Sequence, residues 1–281
     1  MMRRVLDYRA NKILYNFILS NKIQGKAIVP ANVCQSVIDT LHLAGMELFF
    51  VDIAKETFCA DRSSVFTCAR EASLFLFVHT YGIEMDCPSW FFELRRINPG
   101  IAIVDDRCLC LPQLSPQEEM ADLVLYSFCA KKQVDLGGGG IGFVSDKWDY
   151  EKVPVIKNTV LFNIEWDLEE DVFFDTRQRV LHHKKHLNDI YANSLPVGIQ
   201  MDAAFQQWRF NLLVSQKDIV IRELFKDGLF ASGHYKSLSD ECVVASQLHN
   251  RVINLFNDFY YSEEQAIRTC KIINRVLEQY D

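Results

Sequence analysis

At 281 residues, 49% of them apolar and 24% charged, the chain can bury a large core as one domain or two smaller ones, which argues against disorder. A formal net charge of −7 and a pI near 5.5 argue against broad affinity for nucleic acid, which needs a basic face. Nine cysteines, scattered singly apart from Cys108 and Cys110 and with no CxxC pair, argue against a disulfide framework or a thiolate zinc site. They suit reduced, buried thiols in a cytoplasmic protein.

The N-terminal stretch MMRRVLDYRANKILYNFIL begins basic, but Asp7, Arg9 and Lys12 interrupt its apolar run. No signal peptide and no membrane span are expected from it or from any other segment. Further along, Lys26–Val29 is a short apolar run ending in Pro30, and Val33–Leu43 has helical spacing ended by Gly45. Strands are predicted over Glu47–Ile53 and Ala72–His79, a helix over Pro88–Ile97, and a strand over Ile101–Val104 running into Asp105 and Asp106. Leu123–Phe128 and Ile141–Val144 complete the set. Short continuous apolar strands separated by helices predict an α/β fold with a mostly parallel sheet covered on both faces. Functional residues of such sheets gather at the carboxyl ends of strands, where Pro30, His79, Asp106 and Ser127 all fall.

The second part of the sequence differs. A long amphipathic helix over Asp171–Asn193 is closed by Leu195 and Pro196. A strand over Arg209–Val214 follows, then helices over Asp218–Lys226, Val243–Asn250 and Ser262–Tyr280, the last opened by the capping pattern Ser262-Glu263-Glu264-Gln265. The expected division is a larger domain over 1–165, then a linking helix and small α+β domain over 166–281.

The stretch from Ala121 to Val144, ADLVLYSFCAKKQVDLGGGGIGFV, carries most of the chemistry. Lysine between two buried strands, followed by backbone stripped of side chains, suits covalent attachment to a flat cofactor. Such attachment needs a neutral amine, which burial beside cationic or apolar groups favours. Gly137, Gly139 and Gly142 also satisfy GxGxxG, yet a dinucleotide site needs those glycines to open a helix, and Ile141–Val144 reads as a strand. His182 and His186, four apart on one helix face beside His183, have the spacing of metal ligands. No acidic third ligand is spaced to join them and Lys184 and Lys185 would repel a cation, so a solvated helix face is expected. Trp90, Phe91 and Phe92 are expected in the core.

The spacing of Ser127 and Phe128 to Lys132, and on to Gly137–Gly140, resembles the cofactor-lysine segment of the DegT/DnrJ/EryC1/StrS family of pyridoxal-phosphate sugar aminotransferases. The likeness extends to Ala27–Asp61, to the turn His79-Thr80-Tyr81-Gly82, to Ile103–Asp106, and to Arg209-Phe210, Gly228 and Val252–Asn257. It implies the fold type I of pyridoxal-phosphate transferases and a homodimer with the cofactor near the subunit interface. Lys132 rather than Lys131 is then the covalent lysine, and Asp106 rather than Asp105 the partner of the pyridine nitrogen. Ser127 donates to the cofactor phosphate. Tyr8-Arg9-Ala10-Asn11 replaces the family's Ser-Gly-Thr phosphate turn, so Arg9 becomes the phosphate cation. Cys34 stands where an aromatic ring stacks on the cofactor. Position 109, often Gln or His in the family, is Leu109, and the family's Asn-x-Arg-Met segment is not recognisable between Val144 and Asp171. The expected reaction moves an amino group from glutamate to a nucleotide-linked keto-sugar. Other pyridoxal-phosphate chemistry and a non-catalytic binding subunit are the alternatives.

Overall fold

The computed structural model describes residues 1–115, 120–155, 161 and 164–280. The first part is a seven-stranded sheet. In chain order it comprises β1 (Met2–Asp7), α1 (Ala10–Ser20), β2 (Gly25–Pro30), α2 (Gln35–Leu43), β3 (Met46–Val51), α3 (Arg62–Cys68), β4 (Ala72–Val78), α4 (Pro88–Ile97), β5 (Ala102–Asp106), β6 (Leu123–Ser127) and β7 (Gly140–Ser145). The strands lie in the order β1-β7-β6-β5-β4-β2-β3. The five from β3 to β6 run parallel; β7 is antiparallel to β6, and β1 is antiparallel to β7.

Period-two alternation decides which side chains meet which helices. In β4, Leu74, Leu76 and Val78 join the core formed with α1 and α2, while Phe75 and Phe77 join the core under α3 and α4. Each buried phenylalanine is worth ~1.5–3 kcal/mol relative to exposure, so the strand is committed to a position with both faces covered. Consecutive helix residues lie 100° apart, so Trp90, Phe91 and Phe92 do not share one face, contrary to the sequence expectation. Phe91 is buried, Trp90 partly so, and Phe92 is 55% exposed.

β1 and α1 have no counterpart in the predicted elements, because Asp7, Arg9 and Lys12 mask their apolar pattern. Asp7 and Lys12 are nonetheless buried. Asn16 bonds the Asp7 carboxylate, and Lys12 reaches the carbonyl of Val153. α3 is likewise absent from the sequence reading; the Asp61 side chain caps it through the Ser64 N–H.

The second part comprises α5 (Glu170–Ser194), β8 (Phe210–Leu213), α6 (Lys217–Lys226), β9 (Ala231–Ser232), α7 (Val243–Arg251), β10 (Val252–Leu255) and α8 (Glu263–Tyr280). β10 is the centre of an antiparallel three-stranded sheet flanked by β8 and β9. Leu187 and Tyr191 of α5, Val220 of α6 and Ile273 of α8 pack on Leu212 and Ile253. The capping box of α8 forms: Gln265 N–H donates to Ser262 Oγ at 3.2 Å, and Ser262 N–H donates to Gln265 Oε1 at 2.8 Å. Among the described residues no helix is long and apolar enough to cross a membrane.

Candidate active site

Because β2, β4, β5 and β6 are parallel, their carboxyl ends form one edge of the sheet, and Pro30, Val78, Asp106 and Ser127 end those strands. Alternation then sorts the side chains. Val104 and Asp106 of β5, and Leu125 and Ser127 of β6, share the face covered by α1 and α2. Asp105 and Phe128 point the other way. Phe128 is fully buried and stacks on Trp166 at 5.7 Å, so the Ser-Phe pair splits between a cavity residue and a core residue.

At that edge lies one cavity. It is lined by Arg9, Ala10 and Asn11 at the start of α1, Cys34, Ser36 and Val37 at the start of α2, and Val78, Asp106, Cys108, Leu109, Ser127, Cys129, Lys132 and Tyr235. All five residues singled out from the sequence, Arg9, Cys34, Asp106, Ser127 and Lys132, therefore meet in one place. The two alternatives do not. Lys131 is exposed, with its Nζ 5.5 Å from the centre of the Phe256 ring. Asp105 is completely buried on the far side: Oδ1 lies 2.7 Å from His79 Nε2, and Oδ2 accepts from Arg107 Nε at 2.7 Å. Burial by itself would raise the Asp105 pKa, but the His79 ring and the Arg107 guanidinium reverse this and hold it below the ordinary carboxylate value. His79 is thus a buried structural group, its Nδ1 also 2.9 Å from the carbonyl of Ile83.

Asp106 accepts the Cys108 N–H at 2.9 Å, and burial followed by the Asp106 carboxylate pushes the Cys108 thiol well up. None of the nine cysteines forms a disulfide; six are buried, and the three half-buried ones, Cys34, Cys108 and Cys129, all line this cavity. Cys129 follows Ser127 by two residues, a period-two signal that could have found it. Tyr235 had no such signal, because it comes from the loop after β9, about a hundred residues downstream. Burial, then the neighbouring Cys34, keeps its phenol neutral far above the ordinary value. His234, beside it, falls to about 4 through burial and then the charges of Arg209 and Lys132.

The glycines serve the fold around the cavity. Gly139 has φ +103°, and a Cβ there would run into the Trp166 ring; at Gly140 it would strike the backbone of Arg9 and Ala10. Side-chain-free backbone lets β7 and the start of α1 touch, and Gly140 sits opposite Ser127 in the β6–β7 ladder.

The histidine run of α5 lies elsewhere. His186 Nε2 is 2.9 Å from Glu263 Oε2, and His183 Nε2 lies 3.0 Å from the carbonyl of Asp258. Among the described residues no group of three or more His, Cys, Asp or Glu could hold a metal ion. Lys184, in the same run, departs from the solvated face expected of it: it is 5% exposed and donates to Trp208 O at 2.6 Å and Asn257 Oδ1 at 2.8 Å, with burial lowering its pKa to about 7.

Solved structures share this architecture over nearly the whole chain. An aminotransferase of the DegT DnrJ EryC1 StrS type from Brucella abortus is 13% identical, with a TM-score of 0.73 over 98% of this chain and 86% of its own. NtdA from Bacillus subtilis, solved with bound cofactor PMP, is 17% identical, with a TM-score of 0.76 over 99% of this chain and 74% of its own. The sugar aminotransferase CalS13 from Micromonospora echinospora is 14% identical, with a TM-score of 0.70 over 97% and 87%. At such identities the likeness establishes the fold alone. No curated protein sequence matches the chain. The family model for DegT/DnrJ/EryC1/StrS aminotransferases matches residues 10–192, a span that contains every cavity-lining residue except Arg9 and Tyr235. With the fold, the sheet-edge cavity and that match in agreement, the chain belongs to the DegT/DnrJ/EryC1/StrS aminotransferase family.

Proposed function

We propose that this cavity holds pyridoxal 5'-phosphate and that the protein transfers an amino group from glutamate to a keto-sugar carried on a nucleotide. The observation that carries the reading is the convergence of Lys132, Asp106, Ser127 and Arg9, from four separate segments, on one cavity. The donor set fits the cofactor: an amine for its aldehyde, a carboxylate for its ring nitrogen, and a hydroxyl, a guanidinium and the first turn of α1 for its phosphate.

When bound, the cofactor supplies an electron sink for the substrate carbon that loses a proton. Lys132 Nζ would hold the cofactor covalently and would be the group that carries a proton from and back to the substrate. Asp106 keeps the ring nitrogen protonated. Ser127 Oγ and Arg9 fix the phosphate, and Cys34 packs on the ring in place of an aromatic side chain. Leu109 and Tyr235 wall the cavity against water. Two copies of the chain, each next to the other's cavity, belong to the same reading. Val172 and Phe174 at the start of α5, 48% and 51% exposed and adjoining the Phe128 cluster, are apolar surface that a second copy would cover.

The test is the absorption of the purified protein with added pyridoxal phosphate, before and after borohydride, beside Lys132→Ala. A long-wavelength band that borohydride fixes onto Lys132, and that the variant lacks, supports the reading. No band, or an unchanged band in the variant, leaves a non-catalytic member of the family. Amino transfer from glutamate to nucleotide-linked keto-sugars, against simple keto acids, then tests the acceptor.

A further inference from the structure

We infer that Trp208 is a positioning residue for Lys132, holding the backbone from which the lysine enters the cavity. The inference rests on the cofactor reading above for its purpose and on independent geometry for its content.

Two residues near the cavity that are not glycine adopt the left-handed conformation, Lys131 at φ +65° and Tyr81 at φ +56°. That conformation is strained for an L-residue and persists only where the surroundings over-determine it. Trp208 bonds both. Its indole Nε1–H donates to the carbonyl of Lys131 at 3.0 Å, and its backbone N–H donates to the carbonyl of Tyr81 at 3.3 Å. The peptide unit joining Lys131 to Lys132 is thereby fixed at both ends, since its N–H donates to the carbonyl of Cys129 at 3.1 Å. Asp135 Oδ2 accepts the preceding N–H, that of Lys131, at 2.8 Å.

Trp208 is itself rigid. It is 4% exposed, its ring lies parallel to Tyr81 (1° between planes, centroids 6.5 Å apart), and its carbonyl accepts from Lys184. The stacked pair reaches both walls of the cavity in the same way. Trp208 bonds the carbonyl of the residue before Lys132, and Tyr81 Oη donates at 2.6 Å to the carbonyl of His234, the residue before Tyr235. Trp208 also stands two residues ahead of β8, so the clamp ties the direction of Lys132 to the three-stranded sheet.

Trp208→Phe keeps a ring for the stack and the backbone N–H but removes the indole donor. Replacing Trp208 by 3-benzothienylalanine does so at nearly constant shape, and it decides the matter if the phenylalanine variant does not fold. In cofactor-free protein, amide exchange over residues 129–135 should accelerate about tenfold, the worth of one buried hydrogen bond, while β6, β7 and β8 keep wild-type rates. With pyridoxal phosphate, the pH midpoint of the absorption band should move by about 0.5 unit or more, because Lys132 Nζ no longer sits in its native field. Exchange unchanged in both variants, or faster across the whole protein, would overturn the inference and make Trp208 a core residue only. If wild-type protein attaches no cofactor to Lys132, the proposed function fails, whereas the exchange measurement still decides the role of Trp208.

Discussion

Asp105 and Asp106 are consecutive in β5 yet lie on opposite faces of the sheet, Asp105 locked between His79 and Arg107 and Asp106 open to the cavity beside Lys132. One residue's shift along a strand therefore separates a structural carboxylate from a candidate functional one, and the two should fail differently. Asp105→Ala removes the buried carboxylate that His79 and Arg107 share and should cost about 3–5 kcal/mol in denaturant unfolding. Asp106→Asn should unfold nearly like wild type and lower turnover by about 100-fold or more, the scale of a lost electrostatic stabiliser. Equal loss of stability in both variants would contradict the division.

Arg9, at the start of α1, and Ser127, at the end of β6, reach the cavity from different elements and contribute unequally. Arg9→Ala should weaken pyridoxal phosphate binding by about tenfold or more, as expected for a charge-assisted contact, and Ser127→Ala by about fivefold. Titration of cofactor absorbance at two salt concentrations checks this. Only the Arg9 contribution should shrink as salt rises, and a salt-independent Arg9 effect would remove it from the phosphate site.

Thiol labelling reports on the same cavity. Under native conditions Cys34 and Cys129 should alkylate first and Cys108 more slowly, because burial and Asp106 raise its thiol pKa; the six buried cysteines should stay unlabelled. Saturating pyridoxal phosphate should slow all three. Peptide mass spectrometry showing Cys59 or Cys270 labelled as fast as Cys34 would contradict the packing.

His234 sets a pH window. Its pKa falls from the ordinary 6.5 to about 4 on folding, so between those values the unfolded chain binds more protons than the folded one. Stability should therefore be fully present above 6.5 and decline as the pH falls toward 4, by roughly 3 kcal/mol in all. His234→Gln should flatten that limb of the unfolding profile. The depressed Asp105 pKa acts lower still, where stability is lost as the pH falls below the ordinary carboxylate value of 3.8.

Gly140→Ala tests the contact between β7 and the start of α1. Its Cβ would meet the backbone of Arg9 and Ala10, so the variant should lose on the order of 2–3 kcal/mol and bind cofactor less well than wild type. Gly137→Ala carries a positive φ but no steric neighbour and should cost less. Melting curves of the two variants give the comparison, and the reverse order would show that the positive φ at Gly137 matters more than the backbone contact at Gly140.

Much of the large sheet was legible in the sequence because its strands are buried on both faces and read as continuous apolar runs: the predicted and observed bounds of β2, β4, β5, β6 and α4 differ by a residue or less at almost every end. The spacing to Ser127 and to the glycines selects Lys132 over Lys131, the family resemblance selects Asp106 over Asp105, and strand alternation puts Asp105 and Asp106 on opposite faces of the sheet. The stretch between Val144 and Asp171, where the family's Asn-x-Arg-Met segment is not recognisable, lies partly outside the described residues.

What the sequence alone determined is local: which runs are strands, which helices are capped, and which spacing resembles the family's lysine segment. Tertiary structure decided what depends on distant partners. Asp7, Lys12 and Lys184 read as solvent groups until carbonyls and amides from other segments satisfy them in the interior. Tyr235 and Trp208 enter the neighbourhood of Lys132 only because the three-stranded sheet docks against the strand ends. No period of two or 3.6 residues encodes such a meeting, since it arises from packing between residues about a hundred positions apart.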